Sequence, residues 1–235
     1  MKAVIIIVLA TLSISSIAQE SKKETYIPMA SHGIGISFQK FEGLNSRIAD
    51  YPQYQSLREY AGTLQLGILK ERNRVISDMG ILAGSSMSGD RDKKSSTIRF
   101  VGVQANAGYD VLKSEKIMLY PLAGLGYEMY QARFFRDNSA VPFDDVLETP
   151  AVQNNIRSVD FKNSFFTYNL GLGIALFPGN NAHGSIGLKA MYTGSFKSRA
   201  WRSSENQTLQ NAPEDNLGRI HLALVFSKKS RYKRE

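Results

Sequence analysis

The sequence predicts an all-β fold: an eight-stranded antiparallel up-and-down transmembrane β-barrel. Three observations predict it: blocks of strict hydrophobic alternation, an export-type N-terminus, and connections that alternate between short and long. The clearest block, residues 164–177, reads S-F-F-T-Y-N-L-G-L-G-I-A-L-F. Phe166, Tyr168, Leu170, Leu172, Ile174 and Leu176 share one face of an extended strand. Phe165, Thr167, Asn169, Gly171, Gly173 and Ala175 share the other, because successive side chains on a strand point to opposite sides. So long an oily face suits lipid, and the small and polar face suits a barrel axis.

The chain opens with Lys2, an apolar run from Ala3 to Leu12, and the small residues Ser16-Ile17-Ala18. That order is a secretory signal peptide, with cleavage expected after Ala18. Its apolar core of about ten residues falls short of the roughly 20 that a spanning helix requires. Residues 19–30 read as a short N-terminal segment on the periplasmic side. No cysteine occurs, which rules out disulfides, thiolate metal sites and a lipid-modified N-terminal cysteine. No later apolar run is long, so membrane insertion must use strands, which satisfy their backbone polar groups in lipid only as a closed barrel.

Eight strands are expected, at 32–41, 59–70, 75–87, 97–112, 117–134, 164–177, 184–197 and 217–227. In the fourth, Val101, Val103, Ala105, Ala107 and Tyr109 oppose Gln104, Asn106, Gly108 and Asp110. In the fifth, Leu119, Pro121, Ala123, Leu125, Tyr127 and Met129 oppose Gly124, Gly126 and Glu128. The seventh and last strands repeat the rule with Ile186, Leu188 and Tyr192, then Ile220, Leu222, Leu224 and Phe226. The first three carry a weaker signal. Turn-like segments near 71–74, 113–116 and 178–183 join alternate pairs, and the stretches 42–58, 88–96, 135–163 and 198–216 are expected to be long polar loops. Short turns on one side and long loops on the other is the layout of an outer-membrane barrel, with both ends periplasmic.

With this layout the chain resembles the small eight-stranded outer-membrane barrels of Gram-negative bacteria, the OmpA/OmpX-like type, over about 31–227. The resemblance implies residence in the outer membrane among its lipids and lipopolysaccharide. Such barrels usually end in an aromatic residue; here Phe226 closes the last strand, and nine residues follow it.

An eight-stranded barrel is just wide enough for side chains to fill. The charged residues expected inside are Asp78, Glu128, Lys189 and Arg219, with His221 near them. Unpaired charge in a narrow lumen is costly, so a salt-bridge plug is the expectation and a narrow ion path the alternative. Lys189 and His221 are expected at similar heights on adjacent strands, Glu128 and Arg219 both in the upper half, and Glu128 is the acid candidate for His221. Aromatic girdles are expected from Phe166, Tyr168, Tyr192 and Phe196 at the outer rim, and from Tyr109 and Phe226 at the inner one.

The formal net charge is +8, and half of that excess lies in the basic tail 228–235. On an exported protein such a tail points to anionic headgroups or other envelope polymers rather than nucleic acid. Catalysis on lipid would need a serine, a base and an orienting acid together. His183-Gly184-Ser185 lies in a turn without a nearby carboxylate, and His32 opens a strand, so no catalytic residue is assigned and a lipid-modifying enzyme is the alternative. Three scattered histidines make a poor metal site, and no cofactor is expected. The acidic loop 135–163 holds Asp144, Asp145 and Glu148 beside Pro142 and Phe143, the candidate binding residues for a partner protein or bridging cations. The expected role is structural or adhesive, through the outer loops of a plugged barrel.

Overall fold

The computed structural model describes residues 29–90, 93–112, 114, 116–177 and 184–229. The expected signal peptide 1–18, His183 and most of the basic tail lie outside the described residues. The elements in order are β1 (Met29–Gln39), α1 (Glu42–Ala49), β2 (Tyr60–Arg72), β3 (Val75–Gly89), β4 (Ser95–Tyr109) and β5 (Ile117–Phe135). They continue with α2 (Phe143–Glu148), α3 (Pro150–Ile156), β6 (Val159–Leu176), β7 (Gly184–Ser195), β8 (Arg199–Ala200), β9 (Arg202–Ser203), β10 (Glu214–Asp215) and β11 (Gly218–Lys229).

Strands β1 to β7 and β11 pair antiparallel in the order β5-β4-β3-β2-β1-β11-β7-β6, and β5 also pairs with β6, closing the barrel. The start of β1, the end of β11 and the β2–β3 turn lie at one end. The β2–β3 turn is tighter than the sequence implies: Arg72 pairs with Val75, leaving Asn73 (φ 50°) and Arg74 (φ 70°) as its two central residues. Two positive φ values match the right-handed twist of the flanking strands. Arg74 tolerates this with its guanidinium 4.5 Å over the Tyr109 ring.

The alternation decides sidedness. Leu66 is 66% exposed and Leu172 58%, while Thr167 and Asn169 on the opposite face are 1% and 2% exposed. Apolar side chains cover the outside on every strand, an area far beyond the few hundred Å² that a soluble monomer leaves uncovered. On β5 the outward apolar run from Ile117 to Met129 covers about 40 Å of strand, or ~28 Å of height at a tilt of about 45°. That matches the hydrocarbon core of a bilayer.

Several glycines face inward because a neighbour occupies the space a side chain would need. A Cβ on Gly102 would lie 2.6 Å from Glu128 Cγ, and one on Gly173 would fall within the Tyr120 ring. Glycine-lined walls do not persist to the outer end, however. There the inner face carries Leu82, Ile98, Phe100, Tyr130, Phe134 and Phe165, all buried. Apolar residues therefore occupy both faces of the strand tops, and the two-residue period fades.

The loops also depart from expectation. Phe41 leaves β1 and turns inward, and the stretch after it folds into α1, which buries Leu44 and Ile48. Residues 90–94 form a short connection rather than a long one, since β3 runs to Gly89 and β4 starts at Ser95. β6 begins at Val159, so Asp160 belongs to a strand and not to the acidic loop.

Candidate functional site

The lumen is filled in three layers. At the periplasmic end Met29, Leu69, Ile76, Met118, Tyr120 and Leu122 pack together. Above them lies a polar belt. Lys189 pairs with Asp78, and both are buried. Asn106 Nδ2 donates to Asp78 (3.3 Å), Asn169 Nδ2 to Asn106 (3.1 Å), and Thr193 Oγ1 to Asn169 (2.9 Å). This chain of bonds crosses the barrel from β7 through β6 and β4 to β3. The sequence alternation puts Asn106, Asn169 and Thr193 on the inner face, but nothing in it says that they join.

Higher up, Arg219 meets Glu128 through two parallel bonds of 2.6 Å, and both side chains are buried. Tyr130 Oη donates to Glu128 (2.8 Å) and accepts from Arg219 (3.0 Å). The guanidinium also lies 4.8 Å from the centre of the Phe100 ring. A forked, hydrogen-bonded pair of this kind is the geometry in which mutual attraction best offsets desolvation. His221 does not meet Glu128, because Arg219 and Tyr130 occupy that carboxylate. Instead its Nε2 lies 2.9 Å from Thr63 Oγ1. Lys189 stands on the adjacent strand, two residues along the pairing: His221 registers with Met191, and Lys189 with Ala223. Gln65 Oε1, Thr167 Oγ1, Arg219 Nε and His221 Nδ1 have no protein partner. Buried polar groups of this kind are ordinarily satisfied by protein or by ordered water.

The outer end is closed by α1. Its N-cap position, Phe41, supplies no side-chain cap. Asp215 does so from a distance, its Oδ1 accepting Gly43 N–H (2.7 Å) and its Oδ2 accepting Leu44 N–H (3.0 Å). Trp201 Nε1–H donates to the same carboxylate (2.7 Å). The indole is fully buried and stands edge-on to Phe41, with ring centres 5.5 Å apart. The lid thus comprises α1, Trp201 and Leu217 over the aromatic top of the barrel. The sequence holds one signal for it, the i, i+4 pair Leu44 and Ile48.

Beyond the lid stands the third loop, 136–158. Asp144, Asp145 and Glu148 all lie exposed on α2, with Phe143 74% and Leu147 64% exposed one turn apart. Earlier in the loop, the hydroxyl and N–H of Ser139 hold the Asp137 carboxyl below its ordinary value. Among the described residues no three His, Cys, Asp or Glu side chains gather as a metal site requires.

A closed, lipid-faced, eight-stranded barrel narrows the possibilities to one class of protein, and sequence comparison decides it. The family model of the outer membrane protein beta-barrel domain matches residues 4–212. The chain belongs to that family. This outer-membrane barrel is similar in fold to a major outer membrane protein from Thermus thermophilus (TM-score 0.55, 11% identity, covering 88% of this chain and 100% of that one). It is also similar to Ail, the attachment invasion locus protein of Yersinia pestis, in a structure with the heparin analogue sucrose octasulfate (TM-score 0.51, 14% identity, 88% and 100%). No curated protein sequence matches it.

Proposed function

We propose that this protein is a non-conducting outer-membrane scaffold that holds a partner protein of the envelope or of an opposing surface through its outer loops. The observation that carries this reading is the lid. Asp215 ties α1 and Trp201 over an outer end already filled by aromatic side chains. A barrel closed at both ends and crossed by two ion pairs offers solutes no path. What it offers outward is a rigid platform, and loops on rigid platforms commonly carry binding.

The contact surface is the exposed face of α2, where Phe143 and Leu147 supply apolar area and Asp144, Asp145 and Glu148 surround it with negative charge. Such a patch suits a basic partner with an apolar centre. The catalytic alternative lacks support: His221 faces a threonine, and the nearest buried carboxylates are engaged by Arg219 and Lys189.

Planar-bilayer recording with the full chain is expected to show no steady open state, and a stable conductance would refute the closed scaffold. Cells displaying the protein should adhere to a protein-coated or cellular surface. The quadruple variant Phe143→Ser, Leu147→Ser, Asp144→Asn, Asp145→Asn should lose that adhesion while remaining in the membrane. Equal adhesion by the variant would refute the loop as the contact.

A further inference from the structure

On the outer wall, strand register lines up a row of polar and cationic side chains. Arg99 on β4 is the partner of Gln131 on β5, Gln131 of Lys162 on β6, and Lys162 of Arg202 on β9. Antiparallel partners project from the same face, so these four side chains form one belt about 14 Å long, with strands ~4.8 Å apart. One step toward the periplasm the same wall carries Val101, Met129 and Ser164. A step further come Val103, Tyr127 and Phe166, with the last two rings 5.0 Å apart. The cations therefore stand directly above the apolar band, at the level of outer-leaflet headgroups.

A half-open groove of about 800 Å³ runs along this belt. Arg99, Lys162, Arg199 and Arg202 line it, and among the described residues no carboxylate does. Lys162 and Arg202 face each other directly across strands, an arrangement that like charges disfavour. Asp160, two residues before Lys162 on the same strand, is already engaged by Arg133 (2.9 Å), Gln131 (3.2 Å) and Ser158 (2.7 Å). Elsewhere at the outer end the cation Lys40 has its own acid, Glu59, at 3.4 Å. Here several positive charges converge, and among the described residues no ion pair engages Arg99, Lys162, Arg199 or Arg202.

We propose that the groove is a lateral binding site for a phosphorylated glycolipid of the outer leaflet, a lipopolysaccharide-type headgroup. Its phosphates lie on Arg99, Lys162 and Arg202, and an acyl chain lies along Val101, Met129 and Phe166. Guanidinium and ammonium donors match phosphate oxygens, and the apolar wall below matches the chain. A soluble polyanion fits less well, because the wall directly below the belt is the apolar band. The site rests on the membrane placement of the barrel and not on the reading of α2 as a contact surface.

The test is native mass spectrometry of the detergent-solubilised full chain with four probes: bisphosphorylated lipid A, the same lipid without phosphates, inorganic phosphate and sucrose octasulfate. Lipid A is expected to be retained, with about tenfold or greater loss on removal of its phosphates. The triple variant Arg99→Gln, Lys162→Gln, Arg202→Gln should show a similar loss with an unchanged heat-induced shift on gels. Should the triple variant not fold, Lys162→Gln alone is expected to weaken retention several-fold and Lys162→Arg to preserve it. Equal retention of the phosphate-free lipid, or unaltered binding by the folded variants, would overturn the proposal. Tighter binding of sucrose octasulfate than of lipid A would overturn it in favour of an extracellular sulfated glycan.

Discussion

Removal of one carboxylate should open the lid without disturbing the barrel. Asp215 accepts three hydrogen bonds, from Gly43 N–H, Leu44 N–H and Trp201 Nε1–H, at 2.7, 3.0 and 2.7 Å. Asp215→Ala leaves these donors without a partner, each at a cost of about 1–3 kcal/mol when buried. The Gly43 bond is partly exposed, so water recovers some of that loss, and about 3–5 kcal/mol of lid stability should go. The favourable placement of a negative charge at the N-terminus of α1 is lost as well.

Trp201 is the chain's one tryptophan, so its fluorescence reports on this place alone. The variant should show red-shifted emission and gain access to iodide. Amide exchange over 43–48 should quicken by about two to three and a half decades, at ~1.4 kcal/mol per decade. Asp215→Asn keeps one acceptor and should shift both readouts less. The heat-induced gel shift of the barrel should stay as in the unaltered protein. If Asp215→Ala leaves emission and exchange unchanged, packing of Phe41, Leu44 and Ile48 alone holds the lid, and the role given to Asp215 is wrong.

Arg219→Met should destabilise the barrel by about 3–5 kcal/mol, because Glu128 is left buried and unmatched. Adding Glu128→Leu should restore much of this loss in urea unfolding from lipid vesicles, whereas strictly additive effects would deny the pairing. Gly173→Ala should cost about 1–3 kcal/mol through collision with the Tyr120 ring. Gly62→Ala, with open space at its Cβ position, should be neutral or stabilising in the same assay. Equal costs for the two glycine changes would show that lost strand flexibility, and not crowding in the lumen, explains them.

Sidedness is a local property, and the sequence by itself determined it. In a lipid-facing strand every second residue meets hydrocarbon, so Leu170, Leu172 and Ile174, or Val101 and Val103, reveal their face to a reader of a dozen residues. Strand count, closure and membrane residence follow from that period and from the alternation of short and long connections. The same period put Asp78, Glu128, Lys189, Arg219 and His221 inside. It also set Glu128 and Arg219 together in the upper half, where they pair, but it did not bring Lys189 to Asp78. Lys189 and Asp78 are 111 residues apart and Arg219 and Glu128 are 91 apart, and which charges meet across a lumen depends on strand stagger, which no single strand encodes. His221 lies on the strand next to Lys189 as expected, but Thr63 rather than Glu128 is its hydrogen-bond partner.

The tertiary structure alone decided the two outer features. The lid joins Asp215 to Leu44 across 171 residues, and its apolar base lies where both strand faces are greasy and periodicity carries no information. The cationic belt depends on register across four strands, one of them the two-residue β9 in a loop. Charges scattered at 99, 162 and 202 become neighbours only when β4, β5 and β6 pair in register and β9 folds back onto β6.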